Sequence, residues 1–139
     1  MTTIDPYLIF NGNCAEAMRF YEKTIGGKLE TMMTAADLPP QENCPAGNPA
    51  AIVHACLDIG GRKLMASDSM GGQPAEPMSG FFVATVYPSV DEARRVFAAL
   101  SDGGQVRMPM GKTFWVEIFG MVVDRFGTPW MVSGGAATA

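Results

Sequence analysis

The chain has a single histidine, His54, two residues before Cys56 in the stretch AIVHACLD. If that stretch is a strand, the two side chains face the same way. A hairpin centred on Gly60-Gly61 pairs residues whose numbers sum to about 121, which sets His54 across from Ser67 or Asp68. A carboxylate beside an imidazole fixes its tautomer and raises its basicity, as a general base requires. The same spacing equally fits a histidine hydrogen-bonded within a sheet, with Asp68 ending its strand. Cys56 is only loosely within reach of His54 along a strand and fits a buried, inert thiol.

A second candidate group is Glu117 in KTFWVEIFG. Strict alternation puts Trp115, Glu117 and Phe119 on one face, and Phe114, Val116 and Ile118 on the other. A carboxylate between two aromatic rings is either a pocket acid or a solvated edge residue. Lys112, just upstream, offers a cation to an anionic ligand or is simply solvated. Phe114, Trp115, Phe119, Phe126 and Trp130 fall within 17 residues. They suit core and interface packing, and also a pocket that stacks an apolar or planar molecule. The acid–base candidates are thus His54, Asp68 and Glu117.

Elements must position these groups. The 139 residues are 47% hydrophobic and 17% charged, enough for one compact domain or two half-size units. Net charge is −4 with a pI near 4.8, and no Lys/Arg cluster occurs. Nucleic acid is therefore an unsuitable partner. No apolar run approaches the length of a membrane span, and MTTIDPYLIF lacks the features of a signal peptide. Three cysteines, Cys14, Cys44 and Cys56, without CxxC spacing, fit reduced thiols and a cytoplasmic location. Eleven methionines supply adaptable apolar side chains.

The order of elements is written twice. Ile4 to Phe10 reads as a strand. Asn13 with Glu16 has capping-box spacing, and a helix with Met18, Tyr21 and Ile25 on one face runs to Gly26-Gly27. KLETMMT is a strand, residues 35–50 a Pro-rich loop, and AIVHACLD and RKLMASD a hairpin. In the second half GFFVATVY is a strand. Ser89 and Glu92 make another capping box, and Gly103-Gly104 stops another helix. QVRMPM, FWVEIFGMVVD and PWMVS follow as strands. The offset is 77 at the double glycines and 66 between DIGGRKLMAS and DRFGTPWMVS, and the longer 35–50 loop accounts for the difference. The expected class is α+β: one domain over 1–139, built from β-α-β-β-β modules at 3–70 and 79–135.

The segments PYLIFNGNCAEAMRFY, HACLDIGGRKLMASD and KTFWVEIFGMVVDRFGTPWMV resemble PhnB-like proteins. These belong to the vicinal oxygen chelate superfamily of glyoxalase I, bleomycin-resistance proteins and extradiol dioxygenases. The resemblance covers about residues 4–134. It implies that each half curls its sheet, giving a partly open barrel with a ligand cavity, in a homodimer. In metal-using members it implies His, Gln or Glu ligands on the first and last strands of each half.

Those positions here fall at Pro6 or Tyr7, Met65, about Phe82, and Met131. Hard divalent ions need imidazole or carboxylate, and a thioether is a poor substitute. The expectation is therefore a protein without metal or cofactor. Tyr7, Met65, Phe82, Phe114, Trp115, Phe119, Trp130 and Met131 are expected to line an apolar cavity for a small organic molecule. No Gly-rich turn of a nucleotide-type cofactor site follows the first strand, so nothing supports a methyltransferase.

Overall fold

A computed structural model describes residues 2–38, 49–69 and 73–137. Most of the Pro-rich stretch, with Cys44, lies outside the described residues. The chain divides into two compact units, Met1–Glu76 and Pro77–Ala139.

The first unit runs β1 (Tyr7–Phe10), α1 (Cys14–Thr24), β2 (Lys28–Thr34), β3 (Ile52–Ile59) and β4 (Arg62–Asp68), with a 3-10 turn at Ala35–Asp37. Its sheet has the order β1-β4-β3-β2. β1 is parallel to β4, and the other neighbours are antiparallel. The second unit repeats this with β5 (Val83–Tyr87), α2 (Val90–Ser101), β6 (Gln105–Gly111), β7 (Val116–Val123) and β8 (Pro129–Ala137), in the order β5-β8-β7-β6. Both are mixed sheets in an α+β protein, as the double pattern predicts.

Each helix covers one face of its own sheet. α1 buries Cys14, Ala17, Met18 and Tyr21. α2 buries Ala93, Val96, Phe97 and Leu100, the i, i+3, i+4, i+7 stripe of a helix lying on a sheet. Against α1 lie Leu8, Phe10, Leu57, Leu64 and Ala66. Against α2 lie Val116, Ile118, Val122, Trp130 and Val132. Both helices end where the chain is squeezed against a strand end. A Cβ on Gly27 would strike the Asp58 carbonyl oxygen, and one on Gly104 the Val123 carbonyl oxygen.

The two helix starts differ. Ser89 Oγ accepts from Glu92 N–H at 3.1 Å, as its spacing predicts. Asn13 makes no side-chain capping bond. Asp68 does that work from the last strand: its Oδ1 accepts from Gly12 N–H (2.9 Å) and Cys14 N–H (3.0 Å), and its Oδ2 from Ile52 N–H (2.8 Å). A buried carboxylate at a helix N-terminus makes charge-assisted bonds, which an Asn amide cannot match.

The two similar hairpins are also built differently. β3 and β4 meet in a two-residue turn, Gly60-Gly61, with φ of 59° and 90°. Asp58 Oδ1 accepts from Gly61 N–H there. Between β7 and β8 five residues, 124–128, separate the pair Val123 and Pro129. Asp124 organises that turn: Oδ1 accepts from Phe126 and Thr128 N–H, and Oδ2 from Trp130 Nε1 at 2.8 Å. The second hairpin is one residue longer. Met65 pairs with Cys56 but Met131 with Met121, so the offset of 66 holds on the returning strand and becomes 65 on the outgoing one.

Candidate functional site

The face of each sheet away from its helix is where chemistry-bearing side chains gather. In the first unit, register sets Tyr7, Met65, Cys56 and Thr31 side by side across β1, β4, β3 and β2. His54 lies two residues along β3 and pairs with Met33. The Tyr7 side chain crosses β4 to reach it: Tyr7 Oη is 3.1 Å from His54 Nδ1, and the rings stack at 5.7 Å.

Charged groups edge the same face. Lys63 Nζ lies 2.6 Å from Glu30 Oε1 and 3.6 Å from Asp58 Oδ2. The bond to Glu30 raises the Lys63 pKa. Cys56 Sγ is 4.0 Å from Glu30 Oε1, and burial pushes its thiol up, against the opposing pull of Lys63. The ion pairs are half exposed and add little stability.

Asp68 is not the partner of His54. The pairing sum of 121 is observed, with Ala55 opposite Ala66. Alternation then puts Ala66 and Asp68 on the helix side and His54 on the other. Asp68 is 3% exposed, and its carboxylate accepts from the Gly12 and Cys14 amides at the α1 start and from the Ile52 amide at the start of β3.

In the second unit Ala84, Met131, Met121 and Met108 stand side by side across β5, β8, β7 and β6. Phe119, on this face, pairs with Ser133. Trp115 packs edge-on against Phe119 at 5.3 Å and against Phe114 at 4.9 Å, and Phe114 is 79% exposed. Glu117 has the predicted parity, between buried Val116 and Ile118, but its Oε1 accepts from Ala136 N–H at 2.7 Å. Two expected lining residues lie elsewhere. Trp130 is 1% exposed within the core under α2, because neighbours on a strand cannot share a face with Met131. Phe82 precedes β5, and Ala84 takes the place beside Met131 that counting back assigned to it. Lys112 is exposed before β7.

The metal positions of the fold can now be read by register. Tyr7 and Met65 adjoin in the first unit, Ala84 and Met131 in the second. Neither pair, a phenol with a thioether or a thioether with a methyl group, fits a hard divalent ion. Among the described residues no group of three or more His, Cys, Asp or Glu could hold a metal. Met33, Met108 and Met121 escape a reading by periodicity, because bulges in β2 and β6 shift which residues face one another.

Two β-α-β-β-β units with these sheet orders define a glyoxalase-like fold, and residues 3–132 match the Glyoxalase/Bleomycin resistance protein/Dioxygenase superfamily. The chain belongs to that superfamily. It is 37% identical to Protein YjdN of Escherichia coli (strain K12) over 138 residues, covering 94% of this chain and 93% of that protein. The crystal structure of protein PA1353 from Pseudomonas aeruginosa is 44% identical, with a TM-score of 0.87 and coverage of 97% and 98%. The PhnB protein from Bacillus cereus is 24% identical, with a TM-score of 0.75 and coverage of 96% and 100%, a likeness of fold.

Proposed function

We propose that this chain binds a small organic molecule on its helix-free sheet surface, without the divalent metal of its superfamily, as a cytoplasmic homodimer. The observation that carries this reading is the Tyr7–His54 contact of 3.1 Å beside Met65. It sets a hydrogen-bonding pair beside the apolar Met65 and Cys56, with the charged Lys63, Glu30 and Asp58 at the edge; a few placed polar groups among apolar ones suit a small-molecule site. Met65 supplies adaptable apolar area beside that pair, and Met131, Phe119 and Trp115 offer a separate apolar face on the second unit. Native mass spectrometry of freshly purified protein tests the proposal through subunit number, metal content and retained organic mass. One equivalent of divalent metal per subunit, retained through dialysis, overturns the metal-free part; a monomer overturns the dimer. Failure of any apolar small molecule to perturb the Tyr7 and His54 resonances overturns the binding site.

An acid–base enzyme is the second reading, favoured by the same contact. His54 takes Tyr7 rather than Asp68 as its ring partner. Asp68 and Glu117 accept from backbone amides, so His54 is the group on which this reading rests.

A further inference from the structure

The level of the second sheet occupied by Met131 holds two more thioethers. Met108 is opposite Met121, and Met121 opposite Met131, on three adjacent strands and one face. Strands favour β-branched and aromatic residues, so packing alone does not call for three unbranched side chains here. Directly opposed Cβ atoms stand roughly 4.5–5.5 Å apart. Each methionine has three rotatable side-chain bonds, which lets neighbouring sulfurs turn toward a shared point. Met108 is 42% exposed, and Ala84 adds little bulk beside Met131.

The geometry points to a site for a soft monovalent cation, Cu(I), held by the thioethers of Met108, Met121 and Met131. Thioethers are neutral, polarisable donors, which reject hard divalent ions and select Cu(I). Binding uses sulfur lone pairs; no electron is transferred and no proton is released. That separates this site from thiolate or imidazole sites, whose affinity falls as their donors are protonated. The corresponding row of the first unit, Tyr7–Met65–Cys56–Thr31, contains one thioether, so the proposal is confined to the second.

The test uses Ag(I) as probe, in chloride-free buffer, on full-length protein with methyl-13C methionine and the substitutions Cys44→Ser and Cys56→Ser. The methyl signals of Met108, Met121 and Met131 are expected to move together and saturate at one equivalent. Met121→Leu, close in volume, should weaken silver binding at least tenfold, while Met32→Leu leaves it unchanged. The affinity should be flat from pH 5 to 7. The proposal is overturned if the three methyls are unmoved at stoichiometric silver, if Met121→Leu binds as tightly, or if affinity falls with pH. Repeating the titration with Cu(I) must give the same three methyls.

Discussion

Tyr7 Oη sits 3.1 Å from His54 Nδ1, joining the first strand of the chain to the third across an intervening strand. Either Tyr7 donates to the ring, or Nδ1–H donates to the phenol oxygen. Tyr7→Phe removes both arrangements and frees Nδ1. Tyr7 is 44% exposed, so stability should change by less than about 0.5 kcal/mol. The two imidazole nitrogen shifts, read by long-range 1H–15N correlation, should move toward those of an unrestrained ring. If they do not, the contact does not govern His54, and its proposed role in ligand recognition fails with it.

Asp68 is the opposite case, a polar side chain whose work is structural. Asp68→Ala leaves the amides of Gly12, Cys14 and Ile52 without this acceptor, two of them in buried bonds. The expected loss is about 3 kcal/mol or more, read as a drop in urea midpoint at unchanged slope. Asp68→Asn should fall between the two, since an amide oxygen satisfies part of the set. A catalytic Asp68 would instead lose activity with stability intact.

How far these positions were legible follows from the distances along the chain that set them. Ser89 and Glu92 are three apart, and their cap could be read directly. The Asp68 cap spans 54 residues to Cys14, and nothing local announces it. The duplication gave both modules, but the unequal hairpins lay hidden, because Asp58 and Asp124 stand seven residues before matching methionines while their turns differ in length. Strand parity alone argues that Trp130 and Met131 cannot both line one pocket. Which of them points outward is decided by the packing of α2. The contact between Tyr7 and His54 depends on the parallel pairing of β1 with β4, a non-local choice that periodicity does not encode.

Glu117 and Gly135 form a third testable pair. Between Val116 and Ile118 the register with β8 slips, and Gly135 sits in the slip with φ of +85°. The Glu117 side chain folds over it: a Cβ on Gly135 would come within 2.7 Å of Glu117 Oε1. Gly135→Ala should therefore cost about 1–3 kcal/mol from backbone conformation, with the clash in addition. Glu117→Ala removes the carboxyl part of the clash, though its Cβ stays 2.8 Å from the added methyl, and also removes one hydrogen bond, worth about 1 kcal/mol. The double variant should be less destabilised than the sum of the singles, by at least about 0.5 kcal/mol in a thermodynamic cycle. Strict additivity would mean that Glu117 does not rest on Gly135.

Cys14 gives the pH prediction. Burial, reinforced by the negative charge of Asp68, pushes its thiol from an ordinary 9.0 to about 12. At pH 8 the native thiolate fraction is roughly one in ten thousand, so a disulfide reagent should leave Cys14 untouched until urea unfolds the protein. The same shift links folding to alkaline pH. Above 9.0 the unfolded chain releases this proton while the native state keeps it, so the unfolded state gains. The contribution of Cys14 is fully present below pH 9 and is lost as pH rises toward 12. Cys14→Ala cannot titrate. The stability gap between native protein and variant should therefore narrow steadily across that window in urea melts. A gap that stays constant from pH 8 to 11 would show that Cys14 ionises as readily in the native state as in the unfolded one, against its burial at the start of α1.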